Sequence, residues 1–221
     1  MRTVMIKGFS KTGKTSTVTA LVAELKKRGY TVGTVKDIHF EGYHADVEGT
    51  DTYKHRQAGA RRVTARGTGD TAIIADRQMT IHEILKYYKE DFVILEGDSG
   101  LKCPTVITGR TTEDIDKRWC HEAVAISGVI AGDPVTGEGK LMDEYRGLPV
   151  INGITEVEKL ADIVGKNTEK MVENMEVELT IGGEDVWMVP FVKETIKNVV
   201  VGAVKALDGY EEGKEIVIKV K

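Results

Sequence analysis

Short apolar runs alternate with longer amphipathic stretches along the first three-quarters of the chain, and each change of period marks an element. Val4-Met5-Ile6 is an uninterrupted apolar run, as expected of a strand covered on both faces, and Val18, Leu21, Val22 and Leu25 then recur at helical spacing. Thr31–Lys36 reads as a second strand, and Val63–Arg66 and Thr71–Asp76 read as short strands divided by a turn at Gly67–Gly69. The string Thr80-Ile-His-Glu83 predicts a capping box, opening a helix with Ile81, Ile84, Leu85 and Tyr88 on one face. Phe92–Leu95 is a fully apolar strand that ends at Glu96-Gly97. Further strands are predicted at Thr105–Thr108, Ala123–Ile130 and Pro149–Ile151, and Val157, Leu160, Ile163 and Val164 predict a helix from Glu156 to about Met175. Strands alternating with helices predict an α/β fold with a mostly parallel sheet flanked by helices.

The pattern changes near the end, which divides the chain into a main domain, residues 1–172, and a small α+β module, residues 173–221. Met175–Ile181 alternates apolar and polar residues, Gly182-Gly183 makes a two-residue hairpin turn, and Asp185–Val189 returns as its partner. Pro190 opens a helix from Phe191 to about Leu207, striped by Val192, Ile196, Val199, Val200 and Leu207, and Glu215–Val220 supplies a third strand. The resulting β-β-α-β unit carries no evident chemistry; its Trp187 reads as a core or interface residue.

Composition narrows the functional classes. A chain of 221 residues buries about seven-tenths of its unfolded surface and folds without covalent staples. Its 31 basic and 35 acidic residues are interspersed and the net charge is −4, so no nucleic-acid partner is expected. No apolar run approaches the ~20 residues of a membrane span and no basic-then-apolar leader opens the chain, so no membrane partner is expected and the protein reads as cytoplasmic. Cys103 and Cys120 form neither a C-x-x-C nor a Cys/His cluster and read as reduced structural thiols.

The strongest chemical signal is Gly8–Thr15, GFSKTGKT, set between the first strand and the first helix. This is a P-loop (Walker A) pattern in its required context, and it makes the fold P-loop NTPase-type. Gly8, Ser10, Lys11, Thr12, Gly13 and Ser16 are candidate phosphate-binding positions, where successive backbone N–H groups turn inward on an anion. The Lys14 ammonium is placed to bridge the outer phosphates and Thr15 to hold Mg²⁺ through its hydroxyl. A second cluster, Lys36, Asp37, His39, His44, Asp46, Asp51, His55, Arg56, Arg61 and Arg62, follows the second strand, whose carboxyl end should lie beside the loop. It suits either ligand contact or a solvated face. His82 and His121 read as surface or capping residues, and Asp114, Asp116, Cys120 and His121 match no known metal spacing.

Lys36-Asp-Ile-His39, then Asp46-Val-Glu-Gly49-Thr-Asp51 running into His55-Arg56-Gln-Ala-Gly59-Ala60, resembles the molybdopterin-guanine dinucleotide biosynthesis protein B family (MobB). That family carries K-H-x-H-H, then D-x-x-G-x-D-[ST] leading into R-x-A-G-A, then a strand ending V-E-G, matched here by Leu95-Glu96-Gly97. The similarity extends through Thr105–Arg110 and Leu148–Ile163, leaving the C-terminal module outside the common core. It implies a homodimeric GTP-binding adaptor with weak GTPase activity in molybdenum cofactor biosynthesis. Its partners would be the molybdopterin nucleotidyltransferase, and molybdopterin or its guanine dinucleotide. It also implies ligand-binding roles for His39, Asp46, Asp51 and Arg56, with Glu96 as the acidic residue that follows the third strand of the core and, with Lys14, as a catalytic candidate.

The departures matter. The first family histidine is Asp37 here and the third is Phe40, and Asp98-Ser99-Gly100 replaces the lysine often found after the family's glutamate. Asp37 offers a hard oxygen to Mg²⁺, ranked after Glu96 and Thr15 as a metal ligand. The basic run Lys54, Arg56, Arg61, Arg62 and Arg66 suits a pterin phosphate or a solvated face. No residue stands out to orient a water, so turnover should be slow. The N-K-x-D guanine motif is absent, so GTP over ATP rests on the resemblance. A small-molecule kinase or ligase, for which Arg110 and Arg118 make a thin lid, and a metallochaperone-type NTPase are the alternatives.

Overall fold

The apolar run near the amino end forms β1 (Arg2–Gly8) and the amphipathic stretch after it α1 (Lys14–Lys27). There follow β2 (Val32–Lys36), α2 (Asp51–Gln57), β3 (Arg62–Arg66), β4 (Thr71–Ala75), α3 (Ile81–Leu85) and β5 (Phe92–Glu96). Next come β6 (Thr105–Thr108), α4 (Thr112–Arg118), β7 (Ala123–Ser127), the short pair β8 (Glu144–Tyr145) and β9 (Leu148–Pro149), and α5 (Val157–Asn167). The computed structural model describes residues 1–40, 42–168, 179–181, 184–186, 188–204 and 207. Two compact units divide the chain, Arg2–Glu169 and Lys170–Lys221.

Five parallel strands in the order β2-β5-β1-β6-β7 make the main sheet. Period-two alternation sends their apolar side chains to opposite faces. Val4, Ile6, Phe92, Ile94, Val106 and Ala125 share one core with Val18, Leu21 and Leu25 of α1 and Leu160, Ala161 and Val164 of α5. Ile107 and Ile126 turn the other way, onto Ile115 of α4 with Ile130, Ala131 and Val150. Covered on both faces, the strands need continuous apolar runs, which is why β5 is buried at every position. Phe92 has no accessible surface and meets the edge of Tyr30 at a centroid distance of 5.0 Å. After β1 the chain fills one side of the sheet, with β2 and β5, and then crosses to the other with β6 and β7. That reversal opens a crevice at the carboxyl end of β1, the usual ligand position in such sheets.

β3 and β4 form an antiparallel ribbon of their own, apart from the main sheet, turned by Gly67 N–H donating to Asp70 O at 2.9 Å. The capping box forms as expected, with Glu83 N–H donating to the Thr80 hydroxyl and Thr80 N–H donating to the Glu83 carboxylate. Arg77, and then Thr80, hold the Glu83 carboxyl down at about 2. Tyr88 covers Gly33 of β2 so closely that a Cβ there would overlap the ring, and its hydroxyl donates to Thr34 O at 2.7 Å.

Several boundaries differ from the sequence reading. The strand expected through Ile130 stops at Ser127, because Gly128 (φ +88°) turns the chain into a 3-10 turn, Val129–Ala131. Of the strand expected at Pro149–Ile151, Pro149 pairs antiparallel with β8, while Val150 makes a lone parallel bridge to Ile126. The helix expected to reach Met175 ends at Asn167, where Thr168 turns extended and its hydroxyl caps Val164 O at 2.7 Å. Helices α2 and α4 were not foreseen. Each is short and opened by a threonine cap, Thr50 and Thr111.

In the smaller unit β10 (Thr180–Ile181) pairs antiparallel with β11 (Glu184–Asp185), and α6 spans Pro190–Val204. The expected turn at Gly182-Gly183, Trp187, residues 175–178 of the first expected strand and the strand Glu215–Val220 lie outside the described residues. No helix among the described residues is long and apolar enough to cross a membrane.

Removing the Phe92 ring leaves a cavity in the main core, so Phe92→Ala should lower unfolding free energy by about 3–5 kcal/mol in urea titrations. Ile73→Ala, on the ribbon where the side chain is 49% exposed, should cost less than about 1 kcal/mol in the same measurement.

Candidate functional site

The loop between β1 and α1 is held by its own backbone and by its neighbours. Thr12 is wholly buried; its hydroxyl donates to Phe9 O at 2.8 Å and pairs with the Thr108 hydroxyl at 2.8 Å. A Cβ on Gly8 would overlap both the side chain and the carbonyl of Thr108, so only glycine lets β1 run this close to β6. Gly13 (φ +94°) starts α1 in the left-handed region, where a Cβ would stand 3.1 Å from Gly128 Cα. Lys11 also adopts positive φ, +59°, uncommon for a residue with a side chain. Val129 N–H donates to Thr12 O at 3.3 Å, closing the floor from the β7 side. No side chain caps α1, so its first-turn N–H groups are left for other acceptors.

Above this loop lies a cavity of about 500 Å³, lined by Gly8, Ser10, Lys11, Gly13, Lys14, Thr15 and Ser16 and, from the neighbouring elements, by Lys36, Asp37, His39 and Glu96. Parallel register explains the convergence: Ile6 and Lys36 both stand opposite Glu96, at the carboxyl ends of three adjacent strands. Glu96 Oε1 accepts from the Thr15 hydroxyl and from Lys36 Nζ, each at 2.7 Å. Burial alone would raise the Glu96 carboxyl, but those two hydrogen bonds and the charges of Lys36 and Lys14 outweigh it and hold it below its ordinary value. Lys14 Nζ donates to Phe9 O at 2.5 Å. Desolvation lowers its ammonium, helped by Lys36 and Arg118 and opposed by Glu96. Asp37 goes the other way, raised by burial and by Asp98 against the pull of His39. Gly97 (φ +131°) makes room for it, since a Cβ there would lie 2.7 Å from the Asp37 Cβ.

Three further walls, Lys7, Asp98 and Arg118, escaped the sequence reading or were left outside the site. Lys7 and Asp98 pair at 2.8 Å, which lowers the Asp98 carboxyl, and Arg118 stands 3.8 Å from the same carboxylate. Lys7, Lys11, Lys14, Lys36 and Arg118 thus face three carboxylates, Asp37, Glu96 and Asp98. Cations outnumber anions, so the cavity suits an anion with several acceptor oxygens.

Asp46, Asp51 and Arg56 are not brought to this cavity. They build the start of α2 instead: Asp46 accepts from the Thr52 hydroxyl at 2.8 Å and from Arg56 at 3.3 Å, while exposed Asp51 pairs with Lys54 at 2.9 Å. Asp114 and Asp116 are likewise committed, the first to Arg110 N–H and the second to the Tyr145 hydroxyl. Among the described residues no three His, Cys, Asp or Glu side chains cluster tightly enough to hold a metal by themselves. Burial pushes the Cys103 thiol up to about 12, the state of an unreactive structural thiol.

Two smaller cavities flank the first. One of about 380 Å³ shares Asp37, His39 and Asp98 with it and continues past Met79, Ile81 and Ile84. The other, about 250 Å³, shares Lys11, Gly13 and Ser16 and is walled by Val129, Pro134 and Ile154.

Residues 3–131 match the family model for molybdopterin guanine dinucleotide synthesis protein B, MobB. A Bacillus subtilis (strain 168) protein named a probable molybdopterin-guanine dinucleotide biosynthesis adapter protein is 25% identical over 154 residues, covering 67% of this chain and 84% of the relative. In fold, the crystal structure of Bacillus subtilis MobB superposes with a TM-score of 0.60 at 22% identity, over 76% of this chain and 99% of that one. A MobB homologue from Bacillus stearothermophilus gives 0.53 at 20% identity, over 74% and 98%. The matched family segment runs from β1 through the turn that follows β7, more than half of the chain and all of the walls of the main cavity, and on that ground the chain belongs to the MobB family.

Proposed function

We propose that the chain is a nucleotide-binding adapter of molybdopterin guanine dinucleotide biosynthesis that takes GTP and Mg²⁺ in the 500 Å³ cavity and works with the pathway's molybdopterin nucleotidyltransferase. The observation that carries this reading is the β1–α1 loop, whose Gly8 leaves no room for a side chain, whose Gly13 takes positive φ, and whose rim gathers five cations. The residues fit the ligand. Backbone N–H groups of the loop and of Ser16 hold phosphate oxygens, and Lys14 bridges the outer pair. Thr15 and Glu96, whose oxygens lie 2.7 Å apart, would hold Mg²⁺, with Asp37 in the same cavity as a further oxygen donor. That sparse set is the usual one for a cation that keeps several waters and is shared with substrate phosphates. When bound, Mg²⁺ supplies charge neutralisation between the outer phosphates. Lys36 keeps Glu96 ionised and oriented for that task.

The flanking cavity at Val129, Pro134 and Ile154 takes the nucleoside, because it opens from the Gly13–Ser16 end of the loop and offers apolar walls to a flat base. GTP over ATP is supported by the family alone. The same family supports a homodimer. Hydrolysis is slow in this reading, since, among the described residues, no glutamine of the kind that orients the attacking water in signalling GTPases lines the cavity.

Calorimetric titration of the full chain with GTP and Mg²⁺ tests the site: Lys14→Ala should weaken binding roughly ten- to a hundredfold, the scale of a lost charge-assisted hydrogen bond. Equal affinity in wild type and variant would refute the phosphate assignment. Glu96→Gln, which keeps the shape and removes the charge, should abolish the gain in affinity that Mg²⁺ gives the wild type; an unchanged Mg²⁺ response would remove Glu96 from the metal site. The isolated protein should release phosphate from GTP well below about once per second, and rates of tens per second would contradict an adapter role.

A further inference from the structure

Arg118 reaches the phosphate cavity from an element that the loop motif does not include. It ends α4, a helix anchored in the core through wholly buried Ile115, and its guanidinium carbon lies 4.3 Å from the centre of the Phe9 ring. Phe9 is the second residue of the loop, and its carbonyl accepts from Lys14 Nζ. Arg118 and Lys14 therefore meet Phe9 through different parts of the same residue, one through the ring and one through the backbone. Stacking on an aromatic face fixes the plane of a guanidinium while leaving its edge free to bond.

That edge is under-used. Arg118 Nε is buried with no hydrogen-bond partner, a state that few buried donors tolerate without a ligand or water to complete it. Its charge partner, Asp98, stands 3.8 Å away, beyond hydrogen-bond reach, and gives its short contact, 2.8 Å, to Lys7. Arg118 lines the cavity that holds Lys14 and Glu96 and is absent from the walls on the nucleoside side. In a loop of this kind the lysine serves the outer phosphates, so a cation on the same side faces the terminal one.

We propose that Arg118 binds the terminal phosphate of a nucleoside triphosphate in cis, held ready by its stacking on Phe9 and its loose pairing with Asp98. The inference rests on the nucleotide-binding reading above and adds to it a way to tell three phosphates from two. Planar, two-pronged donation suits a terminal phosphoryl group, which has more free oxygens than a bridging one. A diphosphate leaves the guanidinium against Phe9 and Asp98 as it stands.

The test is fluorescence titration of the full chain, with Mg²⁺, using a fluorescently labelled non-hydrolysable GTP analogue and labelled GDP. Arg118→Ala should weaken triphosphate binding roughly ten- to a hundredfold and leave diphosphate binding within about twofold, the pattern of one lost charge-assisted contact. Arg118→Lys, which keeps the charge without the fork, should recover only part of the preference, and Phe9→Leu should reduce it in the same direction. Circular dichroism melts check folding; if the alanine variant melts early, the lysine variant supplies the same readout. A wild-type ratio of triphosphate to diphosphate affinity in Arg118→Ala and Arg118→Lys overturns the role of Arg118 and leaves the site intact. Wild-type protein that binds neither nucleotide overturns both the role and the reading beneath it.

Discussion

The structure turns on a contact between two hydroxyls that never see water. Thr12, at the bottom of the β1–α1 loop, and Thr108, at the end of β6, satisfy one another in the interior at 2.8 Å, directly beneath the place where the loop bends. Thr12 also donates to Phe9 O at 2.8 Å and Thr108 reaches Lys7 O at 3.3 Å, so the pair ties the loop to the ends of β1 and β6 at one buried point, where each net hydrogen bond is worth about 1 kcal/mol. The pair can form only because Gly8 brings β1 against Thr108 and Gly128 brings the chain after β7 under the Thr12 carbonyl. Loop conformation is therefore set by the sheet and not by whatever occupies the cavity above. A site preorganised in this way spends little of its binding energy on ordering itself.

Charge is arranged on that scaffold so that two of the three carboxylates have a cation beside them. Glu96 would be costly in its buried position without Lys36 beside it and the Thr15 hydroxyl in front of it. Asp98 is matched by Lys7 in the same manner. Asp37 is the exception: no hydrogen bond to its carboxylate is seen among the described residues, and burial and Asp98 push it upward. The cavity is thus pre-tensioned around one carboxylate that gains from a cation and several cations that gain from an anion, complementary needs that a magnesium-bound phosphate chain meets together.

Local patterns in the sequence carried much of this fold. The continuous apolar runs of β1 and β5, the spacing of α1 and the Thr80–Glu83 cap are all interactions between near neighbours in the chain, and they appear where expected. The helices α2 and α4 did not announce themselves, because each is too short for a periodic stripe; each opens on a threonine cap, and only α4 adds a buried anchor, Ile115. The site shows the same division. Gly8, Lys14 and Thr15 are legible as a string, whereas the meeting of Lys36 with Glu96 depends on strand register and that of Arg118 with Phe9 on where a remote helix docks. Asp46 and Arg56 belong to a distinctive string as well, but a string does not tell which side chains meet, and in the structure these two pair with one another and with Thr52 at the entry of a helix.

The ribbon of β3 and β4 has a consequence for how this chain tolerates change. β2 and β5 are hydrogen-bonded neighbours, yet the segment from Asp37 to Asp91 is strung between them and, among the described residues, adds no strand to the main sheet. Such an excursion behaves as a closed loop whose ends are pinned, and doubling its length costs only about 0.6 kcal/mol of closure entropy. Changes of length at the exposed ribbon are therefore accommodated without re-registering the strands that carry Glu96 and Lys36, whereas the two ends of the excursion are held, Asp37 and His39 by the cavity they line and Tyr88 by its seat on Gly33.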